Sequence, residues 1–362
     1  MASIPGATAY PAIPPLDKIG NHRGLSVHAA APLKGFTPEK ERVILLKTLT
    51  TVASVALPIE ERWSIKRCRY APDGSSVGRV CIATGTHGDE MMGQLIIYLV
   101  QQRIGEHPDA LRGTVDFYPM LNPLGLDIGE RLVPSGTRLD MNRAFPGSPN
   151  GTPLEYMCHQ VIQDMRGADL VLDLHASARN KSELYEVRVS AKEAERLLPR
   201  VRALCPQLIW VYPDKGSFSA SLTGALGAVG TDAVILEADE RRRLPQEIAA
   251  AVVDGIFCKL KEMGIWAGDA IAAPDASADI PTVRMSEDVC RVACEFPGVF
   301  VPEDCLGIHA EAGQVLGMVI DALDGVARET VKAPCAGLVF SQRSYSSVYP
   351  GTLIARIRKE RA

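Results

Sequence analysis

Apolar runs that suit buried strands alternate with amphipathic stretches that suit helices between residues 62 and 264. Three helices are predicted: one that follows residue 88, AKEAERLLPRVRAL and PQEIAAAVVDGIFCKLKEMG. The predicted strands are RWSIKRCRY, GRVCIATG, TVDFYPML, ADLVLDLH and TDAVILEA. Strands that are apolar on both faces and separated by helices indicate a sheet covered on both sides. We therefore expect an α/β fold, in which a mixed, mostly parallel sheet is flanked by helices.

The two ends of the chain have different patterns. Residues 1–35 are rich in Pro, Gly and Ala and predict an irregular arm. The following segment TPEKERVILLKTLTTVASVAL predicts a helix, because Thr37 can cap it and Pro38 suits its first position. Beyond a small-residue linker near residue 270, short β-like runs between Gly and Pro predict a small all-β, barrel-like domain, within which two segments echo each other.

These patterns predict a division of the chain into an arm and helix (1–62), a main domain (63–270) and a C-terminal β domain (280–362). The C-terminal domain would either limit access to a site or build an oligomer contact, and we expect a homo-oligomer.

Composition narrows the classes of partner. The chain is 46% hydrophobic and 23% charged with a formal charge of −4, which gives no electrostatic case for a nucleic acid or a membrane surface. It has no apolar run of about 18 residues and no basic start followed by an apolar stretch. Nine cysteines at irregular spacings favour buried, reduced thiols. We therefore expect a cytoplasmic protein without a nucleic acid or membrane partner.

The segment GTHGDE places His87 and Glu90 three residues apart, where a predicted strand turns into a helix. An imidazole nitrogen and a carboxylate oxygen both suit Zn²⁺, and Gly85 and Gly88 would let the backbone pass closely. The alternative is a polar turn that caps the helix, with Asp89 and Glu90 favoured by the helix dipole.

A second histidine, His175, ends the apolar strand of ADLVLDLH, and Asp173 precedes it on the same face. The residue is either a core histidine or a ligand. Together with His87 and Glu90 it completes a set of two histidines and one carboxylate, which leaves the fourth position of zinc open for water. Ligands gather at the carboxyl ends of strands in such sheets, and these histidines lie at or just past such ends.

Two further segments carry groups that could act on a substrate. The loop RLDMNRAFPG contains Asn142 and Arg143, and arginine matches a carboxylate bidentately; a solvated loop is the alternative. Glu237 follows a buried strand, where it either pairs with Arg241 or Arg242 or serves as a partly desolvated base with a raised pKa.

In these motifs the chain resembles the succinylglutamate desuccinylase/aspartoacylase family, a branch of the zinc carboxypeptidase-like fold. The resemblance covers about residues 80–270 and rests on GTHGDE, NPLG at 122–125, DMNRAFPG, DLHAS and the strand-end Glu237. It departs after Glu237, where the family usually has Glu-Leu-Gly and this chain has Ala238-Asp239-Glu240 and three arginines. We expect this departure to alter the charge at the rim of the site and the preference for substrate.

The resemblance implies a role for each matching residue. His87, Glu90 and His175 would bind one Zn²⁺ per chain, Asn142 and Arg143 would hold a substrate carboxylate, and Glu237 would be general base and then acid. It also implies an arginine upstream that stabilises the oxyanion. Arg131 is our first choice, because its R-x-x-P-x-G segment looks like that of the family, and Arg138 is the second.

The function implied is a zinc-dependent amidohydrolase that deacylates an N-acyl amino acid or a related small amide carrying a carboxylate. The alternative enzyme is a carboxypeptidase-like hydrolase that releases a terminal residue from a small peptide or conjugate. A non-enzymatic carrier of the biotinyl or lipoyl type is disfavoured, because the linking segment DALDGVARETVKAP offers only Lys332, without methionine neighbours.

Overall fold

The computed structural model describes residues 45–58, 61–134, 138–177, 180–213, 219–240, 244–273, 279–284 and 286–360. Ten strands lie before residue 285 in these ranges: β1 (Leu45–Ala56), β2 (Arg62–Pro72), β3 (Arg79–Thr84), β4 (Thr114–Tyr118), β5 (Leu170–Ser177), β6 (Lys181–Glu183), β7 (Glu186–Ser190), β8 (Leu208–Tyr212), β9 (Ala233–Glu240) and β10 (Thr282–Val283). Six helices lie between them: α1 (Met92–Glu106), α2 (Pro123–Ile128), α3 (Pro153–Met165), α4 (Ala194–Val201), α5 (Leu222–Ala228) and α6 (Gln246–Glu262).

Nine of these strands form one sheet in the order β1-β2-β4-β3-β5-β9-β7-β8-β10. Strand β3 is parallel to β4 and β5, β5 is parallel to β9, and β8 is parallel to β7 and β10. The pairs β1–β2, β2–β4 and β7–β9 are antiparallel. The predicted mixed, mostly parallel sheet is therefore confirmed.

Helices cover both faces of the sheet, which is why its central strands are apolar on both sides. Helices α1, α4 and α6 pack in one core, and α3 and α5 pack in the other. Helix α3 begins with Pro153 in a capping box, in which the Thr152 side chain and the Glu155 side chain each bind the other residue's backbone N–H. Among the described residues, no helix combines the length and the apolar content that a membrane crossing requires.

The helix predicted from TPEKERVILLKTLTTVASVAL is wrong over the part of it that the structure describes. Leu45–Ala56 is the strand β1, which pairs antiparallel with β2 along its whole length. The segment is dense in β-branched side chains such as Thr48 and Val52, which favour strands. This local preference and the ladder with β2 outweigh the capping signal of Thr37 and Pro38, which, like the predicted arm, lie outside the described residues.

The remaining strands form the C-terminal β region that the sequence predicted. They are β11 (Val289–Ala293), β12 (Gly298–Pro302), β13 (His309–Ala310), β14 (Val315–Asp321), β15 (Val326–Lys332), β16 (Gly337–Arg343), β17 (Ser347–Val348) and β18 (Leu353–Lys359). They form two antiparallel sheets, β11-β18-β16-β13 and β15-β14-β12-β17, around a core that includes Phe300, Leu316 and Val339.

The main sheet and the C-terminal sheets exchange short strands. β6 pairs with β16, so it extends a C-terminal sheet, and β10 pairs with β8 in the main sheet. The domain limits at 1–62, 63–270 and 280–362 stay a prediction. The exchange matters for the site, because it brings β18 of the C-terminal region to the same cavity as β5 and β9.

Candidate active site

The turn between β3 and α1 carries His87 and Glu90. Gly85 has φ = 71°, in the left-handed region that favours glycine, and a Cβ at Gly88 would collide with the backbone of Gly125. The two glycines therefore allow the tight path that the sequence analysis expected of them.

The NPLG segment supports this turn from the side. The backbone N–H of Leu121 donates to the carbonyl of Thr84 at 3.1 Å, and that of Asn122 donates to the carbonyl of Gly85 at 2.7 Å. The side chain of Asn122 then caps α2 by accepting from the N–H of Gly125 at 2.9 Å. The motif thus fixes the turn and does not itself line the cavity.

His87, Glu90 and His175 meet, and each is buried. One potential ligand atom from each residue lies within 4.8 Å of the others. Nδ1 of His87 is 2.8 Å from Oε1 of Glu90, and Nδ1 of His175 is 2.9 Å from Oε2. The structure therefore brings together three residues that are up to 88 positions apart in the sequence.

A second carboxylate holds the outer nitrogen of each imidazole. Nε2 of His87 is 3.1 Å from Oδ1 of Asp140, and Nε2 of His175 is 3.1 Å from Oδ2 of Asp173. Such partners fix the orientation of a ligating ring. Burial raises the pKa of the Asp140 carboxyl, but His87 and Arg131 lower it further, so the pKa lies well below its usual range. The sequence analysis placed Asp173 on the same face as His175 without giving it a role, and it did not single out Asp140.

The three residues fit a divalent cation. Two imidazole nitrogens and one carboxylate oxygen are a donor set that zinc uses with one position open to water. Nδ1 of His87 is buried and lies 2.8 Å from Oε1 of Glu90, without another partner among the described residues. Burial raises the pKa of Glu90, but His87 and His175 bring it well below its ordinary value, so the carboxylate is charged. A charged carboxylate between two imidazole nitrogens suits a divalent cation.

The capping alternative for this turn is not what the structure has. Helix α1 begins after Met91, which makes no side-chain capping bond, and no acidic residue lies in the first helical turn. Glu90 contacts the two imidazoles instead.

The cluster lies in a cavity of about 890 Å³. This volume is in the range of small-molecule sites. Seven of the eight residues singled out from the sequence line it: His87, Glu90, Arg131, Asn142, Arg143, His175 and Glu237.

The two candidate arginines occupy different environments. Nη1 of Arg131 is 3.1 Å from Oε1 of Glu90, and its Nη2 is 3.2 Å from Oδ2 of Asp140. Arg138 is not among the cavity residues; its side chain is 66% exposed and lies 3.3 Å from Glu130. Of these two arginines, Arg131 has its guanidinium beside the cluster and Arg138 does not.

Asn142 and Arg143 lie in a short 3₁₀ turn that Asp140 caps. Oδ1 of Asn142 accepts a hydrogen bond of 3.0 Å from the backbone N–H of Leu222, which anchors the loop to the start of α5. Nη1 of Arg143 donates to the carbonyl of Asn142 at 2.6 Å, and the side chain is otherwise exposed at the cavity. The loop thus presents a positive charge to the cavity.

Glu237 lies on β9, directly opposite His175 of β5 in the parallel register. Its Oε1 is 2.6 Å from Nη1 of Arg188. Its Oε2 is buried and has no hydrogen-bond partner among the described residues. Arg241 and Arg242, the partners considered from the sequence, lie outside those residues.

The sequence analysis missed Arg188, although a signal was available. The segment EVRVS alternates polar and apolar residues, which predicts a strand with Glu186 and Arg188 on one face. Nothing in that local pattern indicates that the face meets Glu237.

Comparisons with known proteins support the family resemblance seen in the sequence. Residues 76–262, slightly more than half of the chain, match the family model of the succinylglutamate desuccinylase/aspartoacylase catalytic domain. A curated relative is the N-alpha-acetyl-L-2,4-diaminobutyric acid deacetylase of Halomonas elongata, which is 27% identical over 282 residues, covering 75% of this chain and 80% of that protein.

Solved structures share the fold. A succinylglutamate desuccinylase/aspartoacylase from Rhodobacter sphaeroides matches with a TM-score of 0.70 at 21% identity, over 91% of this chain and 99% of that chain. The product-bound ectoine utilization protein EutE (DoeB) from Ruegeria pomeroyi matches with a TM-score of 0.70 at 18% identity, over 89% of this chain and 100% of that chain.

Proposed function

We propose, because this chain belongs to the succinylglutamate desuccinylase/aspartoacylase family, that it is a zinc-dependent amidohydrolase. Its substrate would be an N-acyl amino acid or a related small amide that carries a carboxylate. One observation carries the proposal: His87, Glu90 and His175 converge in a cavity that Glu237 and Arg143 also line. The deacetylase relative supports an amide as the bond that is cleaved.

In this proposal His87, Glu90 and His175 hold one zinc ion per chain, and Asp140 and Asp173 keep the two imidazoles in place. When bound, zinc supplies a Lewis acid that lowers the pKa of water and polarises a carbonyl. The acidic residues that surround the imidazoles favour a cation over a neutral occupant.

Glu237 acts as the proton carrier. Its Oε2 is available, while Arg188 holds Oε1. Oε2 takes a proton from the water whose oxygen forms the new bond to the amide carbon. The same oxygen then gives that proton to the nitrogen of the leaving amine as the C–N bond breaks. Glu237 ends the cycle as it began, as a carboxylate.

The cationic side chains fix the substrate. The Arg131 guanidinium lies beside Glu90, where it would stabilise negative charge that develops on the carbonyl oxygen. The exposed Arg143 guanidinium, with Asn142 next to it, would bind the substrate carboxylate through paired hydrogen bonds. Arg138 has no part in this proposal, because it lies away from the cavity.

A substrate panel tests the proposal. Purified protein is freed of metal, reloaded with zinc, and incubated with N-acetyl amino acids, N-succinyl amino acids and dipeptides while free amine is measured. We expect amine release from N-acyl amino acids that depends on zinc. Activity on dipeptides alone would favour the carboxypeptidase-like alternative, and no activity of folded, zinc-loaded protein on any of them would overturn the proposal.

We also propose that the protein works in the cytoplasm, since all nine of its cysteines are free thiols, as a reducing compartment favours. A homo-oligomer remains our expectation, which light scattering of the purified protein tests.

A further inference from the structure

A row of alternating charges connects the C-terminal β region to Glu237. Nη1 of Arg356 lies 2.7 Å from Oε1 of Glu183, whose Oε2 lies 3.3 Å from Nη2 of Arg188. Nη1 of Arg188 lies 2.6 Å from Oε1 of Glu237. We call Arg356, Glu183, Arg188 and Glu237 the ion-pair chain.

We propose that the ion-pair chain positions the general base, so that Arg188 and Arg356 are positioning residues for the reaction. This inference rests on the proposed function of Glu237. It assigns to the C-terminal β region a part in catalysis, namely to hold Arg188 through Glu183. Glu237 then keeps one oxygen fixed and the other free to carry a proton.

The register of the main sheet sets the position of Arg188 in the ion-pair chain. Glu186 of β7 lies opposite Glu237 of β9, and Arg188 follows two residues later on the same face of β7. The guanidinium also forms a short contact between its Nε and Oε1 of Glu186. One arginine therefore holds three carboxylates with N–H donors that point in fixed directions, whereas a lysine ammonium is a compact point charge on a flexible stem.

The register of the C-terminal sheet sets the positions of Glu183 and Arg356 in the ion-pair chain. Ser341 of β16 pairs with Glu183 of β6 on one side and with Arg356 of β18 on the other. Glu183 and Arg356 therefore occupy equivalent positions on either side of one strand, and the long arginine side chain bridges them. Because β6 belongs to this sheet, the position of Glu183 depends on the C-terminal region.

The ion-pair chain is well shielded from water. The Glu183 side chain is 1% exposed and that of Arg188 is 14% exposed. Burial raises the pKa of Glu183, but Arg188, Lys181 and Arg356 lower it to about 2, so the carboxylate stays charged at neutral pH. Buried ion pairs with several partners are rigid because breaking one leaves a charge without compensation.

Trp210 contacts both arginines of the ion-pair chain. The guanidinium carbons of Arg188 and Arg356 lie 5.6 Å and 5.4 Å from the centroid of its ring. These distances are within the range of cation–π attraction. The ring restricts both side chains, so a movement of one affects the other.

The test compares kcat and KM of the zinc-loaded wild type with those of Arg356→Met, Glu183→Gln and the double variant. We expect the kcat of each single variant to fall about tenfold, because small displacements of a reacting group slow catalysis, while KM stays within about twofold. If the residues act through one chain, the double variant should be no slower than the slower single variant. Arg358→Met, on the same strand but outside the cavity, is the control and should match the wild type.

Substitutions of Arg188 give the second measurement. Arg188→Met should lower kcat by about 100-fold, and Arg188→Lys should restore part of it because it keeps a donor near Glu237. Zinc content and the thermal midpoint of each variant show whether the site and fold persist. A crystal structure of Arg356→Met should show the Glu237 carboxylate rotated from its wild-type position.

Three results would overturn the inference: wild-type kcat in Arg356→Met and Glu183→Gln, losses that multiply in the double variant, or a rise in KM alone, which would make Arg356 a substrate-binding residue. The proposed function fails separately. In that case the zinc-loaded wild type itself releases no amine, or Glu237→Gln is as active as the wild type.

Discussion

The two carboxylates at the centre of the cavity, Glu90 and Glu237, are held in different ways. Glu90 lies between two imidazoles that can serve with it as metal ligands, and Arg131 also contacts its Oε1. Glu237 is paired with Arg188, a permanent cation, through one oxygen only. The first arrangement suits a carboxylate that binds a metal ion together with two imidazoles. The second suits a carboxylate that must keep its position while one oxygen gains and loses a proton.

The largest effect should follow from removing one of the residues that, with Glu90, would hold the zinc ion. His175→Ala removes one of three ligands, so we expect zinc to be lost on dialysis and amine release to fall to the background of the assay. Metal analysis and activity are measured on the same sample. His309→Ala, an exposed histidine of the C-terminal region, is the control and should keep both. Full activity in metal-free His175→Ala would contradict the assignment of this residue.

Substitution of Glu237 should lower activity without affecting zinc binding. Glu237→Gln keeps the shape of the side chain and removes its ability to accept a proton, so zinc content should be unchanged. We expect kcat to fall by about 10²–10⁴-fold, the contribution typical of a general acid–base group. Loss of zinc together with activity would mean that Glu237 belongs to the metal site, and the contrast between the two carboxylates would disappear.

Substitution of the two candidate arginines tests which of them acts beside Glu90. Arg131→Ala should lower kcat by about 10²–10³-fold if its guanidinium stabilises the oxyanion. Arg138→Ala should have no such effect, because Arg138 is exposed and paired with Glu130. Steady-state kinetics of both variants decide the matter, and the reverse pattern would assign the oxyanion role to Arg138.

Substitution of Arg143, which is exposed at the cavity, should affect KM more than kcat. Arg143→Ala should raise KM by about 10–100-fold, the value of a charge-assisted contact of 1.5–3 kcal/mol, with kcat little changed. The matched control is a substrate in which the carboxylate is replaced by a neutral amide. The wild type and the variant should bind this substrate equally poorly, and a KM difference that persists would argue against carboxylate binding.

The last prediction concerns the stability of the protein as a function of pH and not its activity. The pKa of Glu183 falls from 4.5 in the unfolded chain to about 2 in the folded protein. Below pH 4.5 the unfolded state therefore binds more protons, and the stability that Glu183 contributes is lost as the pH falls through 2. This contribution, about 3 kcal/mol at neutral pH, should be missing in Glu183→Gln.

Urea unfolding of wild type and Glu183→Gln between pH 6 and pH 2 measures this difference. The gap between their free energies of unfolding should narrow as the pH falls, whereas Glu195→Gln, exposed on α4, should show no such trend. A gap that stays constant would mean that Glu183 is not held by its cations.

The sequence indicated the neighbours of Glu90 better than those of Glu237, and the reason is physical. His87 and Glu90 lie in one turn, so their spacing alone indicates convergence, and the apolar strand before His175 indicates where that strand ends. The partner of Glu237, by contrast, lies 49 residues away on an antiparallel neighbour, and Arg356 lies in another sheet. Such pairings depend on strand order, which local patterns do not encode.

Strand β1 shows the same limit at the level of the fold. Its β-branched residues were visible in the sequence, but a capping signal at Thr37 and Pro38 favoured a helix. The ladder with β2, a long-range interaction, decided the outcome. Strands β3 and β5 carry apolar residues on both faces, which is why they could be recognised without knowledge of their neighbours, whereas β7, β8 and β10 were not predicted.

Diffraction data collected on either side of the zinc absorption edge, from crystals of the zinc-loaded protein, test the central claim most directly. We predict one anomalous peak per chain, coordinated by Nδ1 of His87, Nδ1 of His175 and a carboxylate oxygen of Glu90, with Glu237 close by but not a ligand. A peak elsewhere, or none at this position in a folded and metal-replete protein, would contradict the account.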